Sequence, residues 1–322
     1  MKFEAHLTSE QLQNYVAKVF GAGYRVEGIA RLHGGAQKVV YKIDCTNGFS
    51  CVLYVWDLSQ NYFKEDILNE PAFQQSYGGG LFAMNNRYLR QRGIRTPELY
   101  DMNRDRDWHA FDYALVEYVH GQKAQAYFQE ETTVRHELFQ RVGDMLSEMH
   151  AIERDVYGAA DYSGSNDKPC YELQREHAKM SLEYASRHMV SVRDNYSRLL
   201  DKLDELEAAI QPRSHYGLIH GELGPDHILV DDQLQPYLID IEGAGYFDIE
   251  HEHSFLGIRF GEYYRYLENN NLDTNRMAFY RYCHHLSLTS GGLKLLHRNF
   301  PDQSFAKGLA DYHSRCAFEW KA

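Results

Sequence analysis

Hydrophobic and polar positions fall into two patterns along this chain: short apolar runs dominate the first third, and helical spacing dominates most of the rest. Thr8-Ser9-Glu10-Gln11 has the form of a capping box that opens an amphipathic helix running to about Phe20. From Ile29 to Asp44, apolar runs flank Gly34-Gly35, which predicts a strand, a tight turn and a second strand. Cys51-Val52-Leu53-Tyr54-Val55-Trp56 reads as a third strand, and 81–89 as a helix. Residues 94–100 read as a loop into a strand, and 112–121 as a buried strand ending at a glycine.

Val134, Leu138, Val142, Leu146 and Met149 recur at helical spacing and predict a helix over 133–150. A loop rich in Gly, Ser, Asp and Pro follows from Gly158 to Pro169, then one long helix or two consecutive ones over 172–210. In 218–242, Asp231-Asp232-Gln233-Leu234-Gln235-Pro236 reads as a hairpin turn between two short buried strands. Aromatic-rich helices fill the remainder, and no repeat or low-complexity tract interrupts the chain.

At 322 residues the chain suits two lobes of unequal size, and 43% apolar with 14% aromatic residues supplies real cores. The net charge of −12 disfavours nucleic-acid backbones as partners and leaves cationic small molecules open. Cys45, Cys51, Cys170, Cys283 and Cys316 are scattered without a CxxC pair, which predicts reduced thiols in a cytoplasm rather than a disulfide framework or zinc site. Neither a signal peptide nor a membrane span is expected, so the chain reads as soluble and cytoplasmic.

The candidate chemistry lies in the polar cluster His220-Gly221-Glu222-Leu223-Gly224-Pro225-Asp226-His227 and in Asp240 and Glu242 at the end of the hairpin. Folding of this segment would bring together one candidate base, Glu222, and two candidate metal ligands, His227 and Asp240. Phosphoryl transfer needs this set: a carboxylate to orient the attacking hydroxyl, and ligands holding cations against nucleotide phosphates. The plainer alternative makes Glu222 a loop cap and His227 a satisfied buried histidine. His251-Glu252-His253 lacks the HExxH spacing, and i, i+2 side chains diverge on a helix, so zinc ligation there is not expected.

The segment resembles the catalytic loop and metal-binding strand of the aminoglycoside phosphotransferase and choline kinase family, relatives of protein kinases. Their pattern is His-Gly-Asp, four residues, Asn, an apolar strand, a turn, then Ile-Asp. The spacing is kept here, with Glu222 in place of Asp and His227 in place of Asn. The resemblance implies an α+β, protein-kinase-like bilobal fold. Its small antiparallel-sheet N-lobe would bind nucleotide over 1–120, and its larger, mainly helical C-lobe over 121–322 would carry the catalytic loop and acceptor site.

The same resemblance implies an ATP-dependent phosphotransferase acting, with Mg²⁺, on a hydroxyl of a small molecule. Glu222 would orient that hydroxyl, and His227 and Asp240 would hold metal, although imidazole suits Mg²⁺ less well than oxygen. Gly34, Gly35, Ala36 and Gln37 would form the loop covering the phosphates, unless the Gly-Gly turn is a plain hairpin. The backbone of Glu117, Tyr118 and Val119 would bind the adenine edge; a central strand running into a turn explains them equally well. Tyr54 falls where relatives carry a phosphate-clamping Lys, with Lys38 and Lys42 as candidate substitutes, and the 81–89 helix lacks the partner Glu, Glu70 lying upstream beyond the Gly78-Gly79-Gly80 break. The acceptor is not readable. Glu242, Asp248, Glu250 and Glu252 would either face a cationic acceptor or be solvated surface. Rival readings are a weak or inactive kinase-like protein that binds nucleotide or metabolite, and a metal-dependent hydrolase.

Overall fold

The computed structural model describes residues 6–32, 37–69, 76–107 and 109–320. The chain divides into two compact units, Met1–Ala126 with Asp226–Gly243, and Tyr127–Pro225 with Ala244–Ala322. Residues 226–243 thus fall with the first unit, although they follow much of the second in sequence.

In the first unit, helix α1 (Ser9–Phe20) starts at the expected capping box. Thr8 Oγ1 accepts from Gln11 N–H at 3.2 Å, and the Gln11 side chain accepts from Thr8 N–H at 2.9 Å. The helix stops at Gly21, whose φ of +101° favours glycine. Its apolar face, Leu12, Tyr15 and Val16, joins Ile43, Leu53, Val55 and Leu115 in the core.

That core lies on a five-stranded sheet of β1 (Val26–Leu32), β2 (Val39–Cys45), β3 (Ser50–Trp56), β4 (Leu99–Asn103) and β5 (Asp112–Glu117), in the order β1-β2-β3-β5-β4 with every pair antiparallel. β2 alternates between buried and half-buried positions, while Cys51 to Trp56 of β3 are all buried. Helices α2 (Lys64–Asn69) and α3 (Gly79–Arg90) follow β3 in the chain, and α3 covers its second face, where Phe82 meets Tyr54 and Trp56 at ring-centroid distances of 5.3 Å each. An aromatic residue at position 54 is therefore a packing residue.

Strand β6 (Gly121–Lys123) belongs to a separate small sheet of the same unit. Gly121 opposes Asp231, and a Cβ on Gly121 would sit 1.7 Å from Val230 O.

The second unit is mainly helical: α4 (Thr132–His150), α5 (Cys170–His188), α6 (Val190–Asp194) and α7 (Tyr196–Ala208). Where one or two helices were expected over 172–210, three occur, broken at the extended Met189 and at Asn195. The breaks let Val192 and Leu199 turn into a core shared with Leu182, Phe279, Tyr282 and Leu286. A four-stranded sheet orders β7 (Glu153–Arg154), β8 (Gly158–Ala159), β9 (Tyr216–Ile219) and β12 (Gly245–Phe247) as β7-β9-β12-β8.

The expected turn at 231–236 forms in the first unit between β10 (Ile228–Asp231) and β11 (Pro236–Leu238). Asp231 Oδ1 accepts from Gln233 N–H and Gln235 N–H, at 2.8 and 2.9 Å, which fixes the turn. β12 (Gly245–Phe247), α8 (Ile249–Phe260), α9 (Thr274–His297) and α10 (Gln303–Phe318) complete the second unit. The five cysteines are free. Among the described residues no helix is long and apolar enough to cross a membrane.

Candidate active site

The loop after β9 is held from beneath by one carboxylate. Glu252 of α8 is fully buried, and its two oxygens accept from His220 N–H at 3.0 and 3.1 Å and from Gly221 N–H at 2.9 Å. The same carboxylate meets Nε2 of His150, the last residue of α4, at 2.8 Å. Burial alone would raise the Glu252 pKa, but the His150 hydrogen bond, the charges of His150 and His220 and the His220 backbone bond hold it below the ordinary carboxylate value. Gly221 takes φ +94°, a conformation that suits glycine, and Glu222 N–H reaches His220 Nδ1 at 3.4 Å. Leu223, Gly224 and Pro225 are buried, whereas Glu222 is exposed. The chain therefore presents Glu222 from a backbone that is fixed on both sides.

The other two candidates lie in the first unit, on either side of the hairpin. His227 closes a 3-10 turn, and its C=O accepts from Ile239 N–H at 3.0 Å, which sets the strand ends side by side. That pairing leaves His227 Nε2 at 3.5 Å from Asp240 Oδ2 and 3.8 Å from Asp226 Oδ2. Asp240 has φ +57°, a conformation in which Asp is among the tolerated residues, and its side chain is 40% exposed. His227 and Asp240 are thus brought together; Glu222 belongs to the second unit.

Lys38, immediately before β2, is only 9% exposed. Its Nζ lies 2.7 Å from Asp240 Oδ1 and 2.6 Å from Glu242 Oε1, and 4.9 Å from the Tyr54 ring centroid. Burial alone would lower the Lys38 pKa, but Asp240 and then Glu242 overturn this and hold it above the ordinary lysine value. Trp56 Nε1–H also donates to Glu242 Oε1, at 2.9 Å. Asn85 of α3 donates to the backbone oxygens of Ile241 and Glu242 at 2.8 and 3.1 Å. Of the two lysines named from the sequence, Lys38 comes to Tyr54, while Lys42 pairs with Asp44 at 2.9 Å and sits over the Tyr118 ring.

Gly34, Gly35 and Ala36 of the expected phosphate-covering loop, and Glu70, lie outside the described residues. Gln37 C=O accepts from Asn61 Nδ2 at 3.2 Å. Glu117 ends β5 and is tied to Glu98 through backbone and side chain; Tyr118 is half-buried and Val119 buried.

The solvated-surface reading of the acidic residues beyond the hairpin is corrected: all four are buried, and each has an internal partner. Glu242 faces Lys38 and Trp56. Asp248 is fully buried and binds Arg276 and Tyr280. Glu250 takes both Nη groups of Arg213 at 2.8 Å each, and Glu252 holds the loop. His251 and His253 diverge as expected, toward His284 and toward Tyr264. Sequence reasoning missed Trp56, Asn85 and His150 as parts of the site, and weighed Glu252 as acceptor-facing or surface rather than as the anchor of the loop. The aromatic side chain at the Lys register was the one signal toward Lys38.

Among the described residues no three His, Cys, Asp or Glu side chains converge as a metal cage. Magnesium in phosphoryl-transfer sites usually takes one or two protein carboxylates, with water and phosphate oxygens completing its shell. Asp240 supplies one such carboxylate, with the His227 imidazole 3.5 Å from it.

An antiparallel sheet flanked by helices, a mainly helical second unit and a catalytic-type loop leading into a metal-type hairpin define a protein-kinase-like α+β fold. The family described as "Phosphotransferase enzyme family" matches residues 81–268, more than half of the chain, and the protein belongs to it. Solved structures agree on the fold. Spectinomycin phosphotransferase APH(9)-Ia, in complex with ADP and spectinomycin, is similar with a TM-score of 0.65 and 16% identity, over 98% of this chain and 99% of that one. Aminoglycoside phosphotransferase APH(4)-Ia gives 0.65 and 18%, over 96% and 99%. A putative aminoglycoside phosphotransferase from Ralstonia eutropha gives 0.61 and 13%, over 98% and 99%. No curated protein matches the chain.

Proposed function

We propose that this protein is an ATP-dependent phosphotransferase that moves the γ-phosphoryl group onto a hydroxyl of a small molecule. One observation carries the reading within the family: a fully buried carboxylate fixes the His220–Gly221 backbone and leaves Glu222 exposed on a held loop. Phosphoryl transfer asks little covalent work of a protein, so positioning and charge supply most of the rate.

In this reading Glu222 accepts a hydrogen bond from the acceptor hydroxyl and aligns its oxygen for in-line attack. Such a role needs no strong base, because the transition state is loose. Asp240 and His227 would hold magnesium, which when bound neutralises charge on the transferring phosphoryl group. Gly34, Gly35, Ala36 and Gln37 would cover the phosphates, and the backbone of Glu117, Tyr118 and Val119 would receive the adenine edge. The five unpaired cysteines suit the reducing cytoplasm in which we place the enzyme.

The acceptor is either aminoglycoside-like or another hydroxyl metabolite. Glu242, Asp248, Glu250 and Glu252 add nothing in favour of a cationic one, since each already has an internal counter-charge or donor. A second reading, nucleotide or metabolite binding without turnover, draws support from the tyrosine that fills the usual lysine register. Titration with ATP plus Mg²⁺ or Mn²⁺, followed by thermal shift and run beside ATP turnover over a panel of hydroxyl compounds, separates the two. Turnover with any acceptor upholds the enzyme; binding with no turnover across the panel upholds the second reading.

A further inference from the structure

Strand β3 offers no cation at position 54, yet the place beside that residue holds one. Val40 of β2 pairs with Tyr54, so a lysine two residues before Val40 can reach across β3 on the face turned to α3. Lys38 does so: its ammonium lies among the rings of Tyr54, Trp56 and Phe82, at 4.9, 5.9 and 5.8 Å from their centroids.

Two features separate this arrangement from an ordinary buried ion pair. A buried pair adds little stability of its own, so stability alone gives no reason for two carboxylates around one lysine. The carboxylates also differ. Glu242 is enclosed at 9% side-chain exposure and pinned by Trp56, whereas Asp240 is 40% exposed. An ammonium has three donors, of which Asp240 and Glu242 take two.

We propose that Lys38 is the phosphate-binding cation of this enzyme. Glu242, rather than a carboxylate on α3, is its fixed partner. The inference rests on the phosphotransferase reading above and deepens it. Lys38 keeps Glu242 and exchanges Asp240 for nucleotide phosphate oxygens, which releases the Asp240 carboxylate for its own role. No bond to Lys38 forms or breaks covalently. Trp56 and Asn85 act as positioning residues, one on the Glu242 side chain and the other on its backbone. The clamp partner and the metal-side aspartate thus ride on one three-residue segment, 240–242, and α3 contributes an amide instead of a charge.

The test measures binding of ATP, ADP and adenosine by calorimetry, together with turnover, in wild type, Lys38→Met, Lys38→Met with Tyr54→Lys, and Glu242→Gln. Loss of a charge-assisted phosphate contact weakens ATP and ADP by about 10- to 100-fold and leaves adenosine unchanged. The added lysine at position 54 recovers about tenfold or more of that loss, since it enters the same space from β3. Glu242→Gln weakens ATP more than adenosine, a phosphate-specific split that lost packing would not give. If Lys38→Met proves unstable because two carboxylates face each other, Lys38→Met with Glu242→Gln removes that repulsion and is read in the same way. ATP affinity within about threefold of wild type in a folded variant lacking Lys38 overturns the inference, as does a folded double variant with no recovery. Absence of nucleotide binding in wild type would instead overturn the phosphotransferase reading itself.

Discussion

Replacing Glu252 by Gln changes one atom of a fully buried side chain and tests how the catalytic-type loop is held. The carboxylate serves His220 N–H, Gly221 N–H and His150 Nε2, at 2.8 to 3.1 Å. In the variant, the amide oxygen can keep the two backbone donors while the NH₂ turns to His150, whose ring can present an acceptor nitrogen. The least damaging outcome therefore keeps three bonds and removes the charge from each. Bonds to charged groups contribute about 1.5–3 kcal/mol against about 0.5–1.5 for neutral ones, so the expected loss is about 3 kcal/mol. Urea unfolding with an unchanged slope is the assay. Glu252→Ala, which orphans two backbone N–H groups and leaves a cavity, should lose more. A loss below about 1 kcal/mol for Glu252→Gln would refute the claim that a charged anchor holds this loop.

Two further outcomes concern the second and first units in turn. Burial depresses the pKa of His253 and His285 to about 3 and of His284 and His313 to about 4, so the fold keeps them neutral. Since unfolded imidazoles titrate near 6.5, stability is complete above that pH and falls as acid is added. The loss reaches about 2 kcal/mol per histidine at pH 5, and a flat melting temperature from pH 7 to 5 would contradict it. Gly121→Ala puts a Cβ against Val230 O, so β6 and β10 must separate. A loss of about 2 kcal/mol or more is expected in urea unfolding, and a neutral substitution would contradict the close approach.

Local chemistry made much of this architecture readable. The Thr8–Gln11 capping box, the Asp231 turn and the alternation of β2 each depend on residues close in sequence, and each formed as expected. The breaks at Met189 and Asn195 carry neither proline nor glycine; tertiary burial of Val192 and Leu199 decides them. The acidic run from Asp248 to Glu252 looks solvated because its partners, Arg213, Arg276 and His150, lie 28 to 102 residues away. Lys38 was visible as a candidate, but its partner Glu242 stands 204 residues further on, and nothing in either neighbourhood announces the pair.

The central claim is that Glu222 aligns an acceptor hydroxyl for attack on ATP. Its most direct test compares wild type with Glu222→Gln in phosphoryl transfer from ATP across the hydroxyl panel, with the ATP-induced thermal shift recorded on the same samples. The account predicts transfer by wild type, a fall of about 10²- to 10⁴-fold in the variant, and an unchanged thermal shift. Transfer by Glu222→Gln at the wild-type rate would contradict it.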